Sequence, residues 1–271
     1  MPELYPGPLS AAALPSVDLW LLAMETFGPS DLNALQAVLS PSEQAKLRQM
    51  HRPAAQRHFV LSRGCLRHLL SRYTGQTPGS LTFVYGPRGK PALSAEAMAD
   101  GYGPVFNLAH SGQRLLVAVS TTAAVRAIGV DLEALRPVSR LPGLCRRYLT
   151  PAEADSVLGL ESASAEHRFL RYWTGKEACL KALGLGIVDS MQRLQLTLDT
   201  GLAAAGVVPV PVATSLPEHP GRLYQWQPEP GYVGAIALHP PPDSPADLRL
   251  CQITCPALGQ PEVRTYLDVH H

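Results

Sequence analysis

Apolar positions along this chain follow two periods, and the switches between them mark out its elements. From Phe169 to Leu183, the residues Phe169, Tyr172, Cys179 and Leu183 recur at helical spacing, which predicts an amphipathic helix with those side chains as its core stripe. Trp173, Glu177 and Lys181 recur every four residues, so the same helix stacks them along one side. No proline interrupts the stretch, and Gly175 costs an interior helical position about 1 kcal/mol relative to alanine. Upstream, Ile128-Gly129-Val130-Asp131-Leu132-Glu133 is a β-branched run of period two. On a strand its two acids project from one face.

The remaining pattern gives strands over Val17–Met24, Leu81–Tyr85, Leu194–Leu198, Leu223–Gln227 and Val233–Leu238, with an edge strand over Leu248–Thr254. Val105–His110 and Leu115–Ser120 form a hairpin joined across Ser111-Gly112-Gln113-Arg114, with His110 at its tip. Helices are expected over Asp31–Leu39, capped by Ser30, and over Ala54–Tyr73, where Phe59, Leu66 and Leu70 form the buried side. Ser40-Pro41-Ser42-Glu43 and Thr150-Pro151-Ala152-Glu153 share one helix-start signature: a hydroxyl cap, proline in the first turn, and a glutamate three residues on. That echo suggests an internal duplication, with Thr121–Ala127 as the joint. The expected fold is therefore α+β, with two pseudo-symmetric halves, residues 1–124 and 125–240, and a tail over 241–271. Each half would be an antiparallel sheet packed with a long helix, with a ligand in the cleft between them.

Composition narrows the class. A chain of 271 residues, 46% apolar and 17% charged, has the make-up of a globular protein. Its net charge of +1 argues against a nucleic-acid binder that works by bulk electrostatics. No apolar run reaches membrane-spanning length and the first residues lack a basic leader, so the cytoplasm is the expected location. Five dispersed cysteines suit reduced thiols, and Cys251 and Cys255 lack the neighbours a zinc site needs. The 26 prolines imply stiffened loops, and residues 1–16 are expected to be irregular.

Charge on the predicted elements supplies candidate chemistry. Asp131 and Glu133, side by side, repel unless a cation lies between them, and a hard divalent ion favours such oxygen donors. Glu177 with Lys181, read alone, is equally a surface pair worth a few tenths of a kcal/mol. The Gly86-Pro87-Arg88-Gly89-Lys90-Pro91 loop can present Lys90 and free amides to an anion, although it is not a Walker loop. Arg136, Arg140, Arg146 and Arg147 cluster around Pro137 and Pro142. They form either a solvated basic face or a docking surface for an acidic protein.

Three segments in order, Phe106-Asn107-Leu108-Ala109-His110-Ser111-Gly112, then Ile128–Glu133, then Trp173-Thr174-Gly175-Lys176-Glu177-Ala178-Cys179-Leu180-Lys181, resemble the motifs of the Sfp-type 4'-phosphopantetheinyl transferases. The resemblance runs from about Ser40 to Leu238, and its third motif is the most specific. It implies transfer of the 4'-phosphopantetheine arm of coenzyme A to a serine of an apo acyl, polyketide or peptidyl carrier protein, with release of 3',5'-ADP. It implies Mg2+, with Mn2+ as a substitute, held by Asp131, Glu133 and Glu177. Lys46, Arg57, Lys90, His110 and Ser111 would contact coenzyme A, with Arg63 a weaker candidate. Lys181 and Lys176 would neutralise phosphate charge, and Glu177 would serve as base, directly or through a water. The family commonly has serine where Ala109 stands, which implies one lost ligand contact. A monomer suffices for two internal halves. Another Mg2+-dependent nucleotidyl or phosphotransferase would use the same acids. A non-catalytic carrier-binding relative is disfavoured, because all three acids and Lys181 are present.

Overall fold

The computed structural model describes residues 16–94, 103–186, 190–199, 202, 206–240, 247–253 and 262–266. The expected irregular N-terminus and Cys255 lie outside them.

In the first half, β1 (Ser16–Ala23) leads through α1 (Pro29–Ala37) and α2 (Pro41–Arg48) to the long α3 (Pro53–Thr74). Two short strands follow, β2 (Phe83–Tyr85) and β3 (Pro91–Leu93), then the hairpin of β4 (Val105–Ser111) and β5 (Arg114–Ser120). The second half opens on β6 (Ala127–Ala134) and runs through α4 (Leu141–Tyr148), α5 (Pro151–Leu158) and the long α6 (Ser162–Ala182). It closes on β7 (Leu194–Leu196), β8 (Val208–Val210), β9 (Val212–Thr214), β10 (Arg222–Trp226) and β11 (Tyr232–His239). Two further strands, β12 (Asp247–Ile253) and β13 (Glu262–Tyr266), come last.

Both hydroxyl-cap starts form as the sequence predicts. Ser40 Oγ accepts from Glu43 N while the Glu43 carboxylate accepts from Ser40 N, and Thr150 and Glu153 do the same. The first helix starts earlier than expected, at Pro29, because the Asp31 carboxylate takes the Gly28 amide at 2.7 Å and Ser30 is not its cap.

The main sheets run β13-β12-β1-β5-β4 and β6-β11-β10-β8. The second is antiparallel throughout, but in the first β1 pairs with β12 in parallel. The strands from residues 1–124 pair antiparallel, as expected; β12 of the tail adds to them and covers the outer edge of β1, which as a bare edge would invite pairing with another chain. Period-two burial assigns the layers. Trp20, Leu22, Leu115, Val117 and Val119 face α3. Leu19, Leu21, Leu116 and Ala118 face the other way and meet Ile128, Val130, Leu132, Ile236 and Leu238 of the second sheet. The far side of that sheet, through Val233, Ala235 and Ala237, packs on Phe169, Ala178, Cys179 and Ala182 of α6. The order is helix, sheet, sheet, helix, and the apolar layer between the sheets joins the halves. Cys65, Cys145 and Cys179 are buried.

Candidate active site

Because β6 turns its even-numbered residues toward the first sheet, Gly129, Asp131 and Glu133 turn toward α6. Gly129 allows that helix to come close: a Cβ there would overlap the backbone of Ala178 and Ala182. Gly175 does the same one turn earlier, where a Cβ would press on Leu196 and Gln225. The glycine that looked like a helix defect is a contact point between α6 and its sheet.

The close approach brings the side chains of Glu177 and Lys181 to Asp131. Lys181 Nζ is 2.7 Å from Asp131 Oδ1 and 3.3 Å from Glu177 Oε2, and it donates to Val130 O. Asp131 is 6% exposed, and its Oδ2 is buried without a hydrogen-bond partner. Burial raises its carboxyl to about 8, with Lys181 opposing the shift and Glu177 and Glu133 adding to it. Lys181 is itself shifted: burial lowers it, and Asp131 and Glu177 more than compensate, holding it above the ordinary lysine value. Glu133 accepts from the Ser111 hydroxyl at 2.9 Å and pairs with Arg136 at 2.7 Å. Ser111 also accepts from Ala134 N, which fixes the β4–β5 hairpin to the end of β6.

Among the described residues, no group of three or more His, Cys, Asp or Glu side chains is gathered as a ready metal cage. The donor set nevertheless suits a hard cation. All three acids offer oxygen, the spare atom of Asp131 has no partner, and the Lys181 ammonium occupies the position of a positive charge between two of them.

Other candidates fall elsewhere. Lys176 is fully buried, paired with Glu153 and donating to Met191 O and Tyr148 O. That placement corrects the expectation that it neutralises phosphate. It points from α6 toward α4, α5 and Met191, away from Asp131, and is enclosed there. Lys90 Nζ is enclosed between β6 and the end of α6, donating to Ile128 O and Lys181 O, and burial lowers its pKa to about 8. The Arg57 guanidinium donates to Met24 O and Phe27 O. Lys46 is exposed, its ammonium 5.7 Å from the centre of the Phe59 ring. The Arg63 guanidinium lies over Tyr85. Ala109 is 4% exposed and faces the layer between the sheets, so a serine there would point into the core.

The sequence reading missed two residues. Asn107 Oδ1 accepts from Val130 N at 2.8 Å, stitching β4 to β6 across the halves. His58, on α3, lies against exposed His110 with ring centroids 4.1 Å apart. Helical spacing could have raised His58 only as a neighbour of Arg57.

Two cavities adjoin β6, one at each end. One, about 300 Å³, runs from Glu133 and Arg136 along Val138, Leu144, Phe169 and Trp173. The other, about 360 Å³, lies under the Gly86–Pro91 loop, with Arg88, Lys90 and Arg126 around an apolar floor and no carboxylate in its wall.

Comparison with known proteins places the chain in a family. Residues 127–209, which carry β6 and α6, match the 4'-phosphopantetheinyl transferase superfamily. The 4'-phosphopantetheinyl transferase HetI of Nostoc sp. is 39% identical over 182 residues, 67% of this chain and 74% of that one. The protein slr0495 of Synechocystis sp., provisionally named a 4'-phosphopantetheinyl transferase, is 35% identical over 72% of this chain and 75% of its own length. AcpT of Salmonella typhimurium, also a 4'-phosphopantetheinyl transferase, is 34% identical over 51% of this chain and 66% of its own. The chain belongs to the 4'-phosphopantetheinyl transferase superfamily. No helix among the described residues is long and apolar enough to cross a membrane.

Proposed function

We propose that the chain transfers the 4'-phosphopantetheine group of coenzyme A to a serine of an apo acyl, polyketide or peptidyl carrier protein and releases 3',5'-ADP. The observation that carries this reading is the buried, unpartnered oxygen of Asp131, set beside Lys181, Glu177 and Glu133 at the closest approach of β6 and α6.

The serine Oγ forms a bond to the phosphorus that bears the pantetheine arm, and the bond from that phosphorus to the second phosphate breaks. The electron pair leaves with 3',5'-ADP, and the hydroxyl proton passes to Glu177, directly or through a water. Negative charge grows on the phosphoryl oxygens, so positioning and fixed positive charge do most of the catalysis. Asp131, Glu133 and Glu177 would hold Mg2+, with Mn2+ as a substitute, and the bound ion's chemistry is neutralisation of pyrophosphate charge. Lys181 stabilises the departing phosphate from the same side. Ser111 holds Glu133 in line, and His110, exposed at the hairpin tip, receives a phosphate of coenzyme A, to which exposed Lys46 of α2 would add charge. Arg57 orders the loop before α1, and Lys90 ties the nucleotide loop to α6.

The groove from Glu133 and Arg136 along Val138, Leu144, Phe169 and Trp173 would take the pantetheine arm, while the cationic cavity under the Gly86–Pro91 loop would take the nucleotide end. The ligand would then cross the junction of residues 1–124 and 125–240. All these groups belong to one chain, so a monomer suffices. The buried free thiols of Cys145 and Cys179 accord with a reducing compartment such as the cytoplasm. The basic run of Arg136, Arg140, Arg146 and Arg147 is exposed beside the groove and would meet an acidic carrier.

Incubation with coenzyme A, Mg2+ and a panel of apo carriers, read by mass spectrometry, tests the reading. The expected result is the mass of the pantetheine arm on one or more carriers, abolished by chelator. An added nucleotidyl or phosphoryl mass supports the alternative transferase, and tight carrier binding with no added mass supports a non-catalytic relative.

A further inference from the structure

β6 is the outer strand of its sheet, and β11 bonds to one of its edges only. Leu135 N donates to Gly231 O, so by the alternation of an antiparallel ladder Gly129, Asp131 and Glu133 exchange bonds with β11. The peptide groups of Ile128, Val130, Leu132 and Ala134 point the other way, where no strand pairs with them among the described residues. Side chains of residues 1–124 take the place of that strand. Lys90 Nζ donates to Ile128 O at 2.8 Å, Asn107 Oδ1 accepts from Val130 N at 2.8 Å, and Ser111 Oγ accepts from Ala134 N at 3.0 Å. On β4, Val105 and Ala109 face the apolar layer between the sheets, and Asn107 lies between them with the same parity. An amide in such a layer is costly unless bonded, and Asn107 is 5% exposed. The residue it bonds is the one on which the lysine of the site rests: Lys181 Nζ donates to Val130 O at 3.1 Å and to the carboxylate of Asp131, the next residue, at 2.7 Å. We infer that Asn107 is a positioning residue for the transfer step, holding Val130 across the junction of the halves and with it the acceptors that aim the Lys181 ammonium. This rests on the proposed reaction, in which Lys181 stabilises the departing phosphate, and adds a residue that acts through the main chain of β6.

Without Asn107 as acceptor, the Val130 N–H is left unpaired in the apolar layer, and β6 must shift to relieve it. Lys181 rests on Val130 O and Asp131 Oδ1 of β6 and on Glu177 Oε2 of its own helix. A shift of β6 therefore moves the first two supports and leaves the third in place. The carbonyl of the same lysine stays held by Lys90 Nζ, 2.6 Å away, so the helix end does not follow the strand. An ammonium drawn off line no longer meets charge where it grows, and a misplacement of about 1 Å costs roughly 10²-fold in rate. Coenzyme A affinity draws on other groups, His110 at the hairpin tip and the cavity under the Gly86–Pro91 loop, and is spared.

Two substitutions in the full chain separate positioning from simple support. Asn107→Leu keeps the bulk and removes the acceptor, while Asn107→Asp keeps both the shape and the acceptor oxygen. With coenzyme A, Mg2+ and a carrier that the wild type modifies, Asn107→Leu should lower kcat about 10- to 100-fold and leave the KM for coenzyme A within about twofold. Asn107→Asp should recover most of that kcat, although its buried charge lowers the melting temperature further than leucine does. Activity and stability then run in opposite orders across the pair. A kcat that follows stability, or one unchanged in Asn107→Leu, overturns the inference and leaves the proposed function standing. A rise in KM with kcat intact overturns it as well, since Asn107 would then serve binding. A wild type that adds no pantetheine arm to any carrier sinks the reaction itself and the inference with it. Hydrogen exchange of the unsubstituted protein supplies a reading that needs no variant. The amides of Val130 and Leu132 share one buried edge of β6, and Asn107 bonds the first. Val130 should exchange at least about tenfold more slowly than Leu132; equal rates would show that Asn107 does not hold the strand.

Discussion

In the first half, Glu43 closes a capping box with Ser40 and buries its carboxylate against Arg67 of α3, 2.8 Å away. In the second, Glu153 closes one with Thr150 and buries its carboxylate against Lys176 of α6. Each cation also satisfies main-chain carbonyls, Pro78 and Leu81 for Arg67, Met191 and Tyr148 for Lys176. The sheets differ in what they present to those helices. β1 buries Asp18 against the hydroxyl of Tyr73 on α3, which in turn accepts from the Trp20 indole. β6 buries Asp131 against the ammonium of Lys181 and places two more carboxylates beside it. One buried aspartate is closed into a network with a neutral hydroxyl; the other sits among like charges with an oxygen to spare. The comparison separates anchoring from chemistry: helix anchoring recurs in both halves, while the crowding of carboxylates around one ammonium belongs to β6 and α6.

The largest expected effects come from the shared anchor. Lys176→Met leaves Glu153 buried without its cation, and breaking such a pair costs about 3–5 kcal/mol. Arg67→Met should cost a similar amount, and urea unfolding of both variants tests the equivalence. Lys176→Met should leave the KM for coenzyme A unchanged at a temperature where it stays folded. A variant that keeps full stability and loses coenzyme A affinity would return Lys176 to the ligand.

Asp131→Asn should divide the halves most sharply. Removing one preorganised charge from such a site lowers kcat by about 10²–10³-fold, measured on a carrier in saturating Mg2+. Stability should move the other way. The Asp131 carboxyl rises from 3.8 to about 8 on folding, chiefly through burial, so its contribution to stability is present below the lower value and is lost as pH climbs to the upper one. In metal-free buffer the asparagine variant should melt a few degrees above wild type near pH 8, with the gap closing toward pH 4. An equal or lower melting temperature at pH 8 would show that Asp131 is not strained by its neighbours.

Both helix anchors were legible in part. Ser40 and Glu43, Thr150 and Glu153 announced themselves because a capping box is local and its spacing is fixed by one helical turn. The period-two runs located β1, β5, β6 and β11 for the same reason. What the spacing could not say was that each box glutamate would turn inward to a cation some twenty residues away, since that pairing is set by how α2 meets α3 and α5 meets α6. Lys176 was misread on this account: it lies beside Glu177 in sequence, but successive residues on a helix point about 100° apart, and only one of them faces Asp131. The parallel return of β12 to β1, the stitch from Asn107 and the contact of His58 with His110 are likewise tertiary. No window of sequence holds both partners.

A smaller effect is expected on the neutral side of the comparison. Tyr73→Phe removes the hydroxyl that Asp18 accepts from, and a lost buried partner costs about 1–2 kcal/mol. Because this network lies in the first sheet, away from the acids of β6, kcat and KM should match wild type; a tenfold drop in either would tie Asp18 to the site.

The smallest effect is expected at Ala109, where the family resemblance suggests a missing ligand contact and the structure does not. Its methyl lies in the layer between the sheets among Leu116, Ile128 and Leu132, while His110 next to it points outward, as alternation along a strand requires. A serine at this position would add a hydroxyl to an apolar layer and nothing to the pocket. Ala109→Ser should therefore leave coenzyme A affinity within about twofold of wild type and lower stability by about 1 kcal/mol. A marked gain in affinity by calorimetry would mean that the end of β4 turns its buried face to the ligand, and the inward and outward assignments along the β4–β5 hairpin would have to be exchanged.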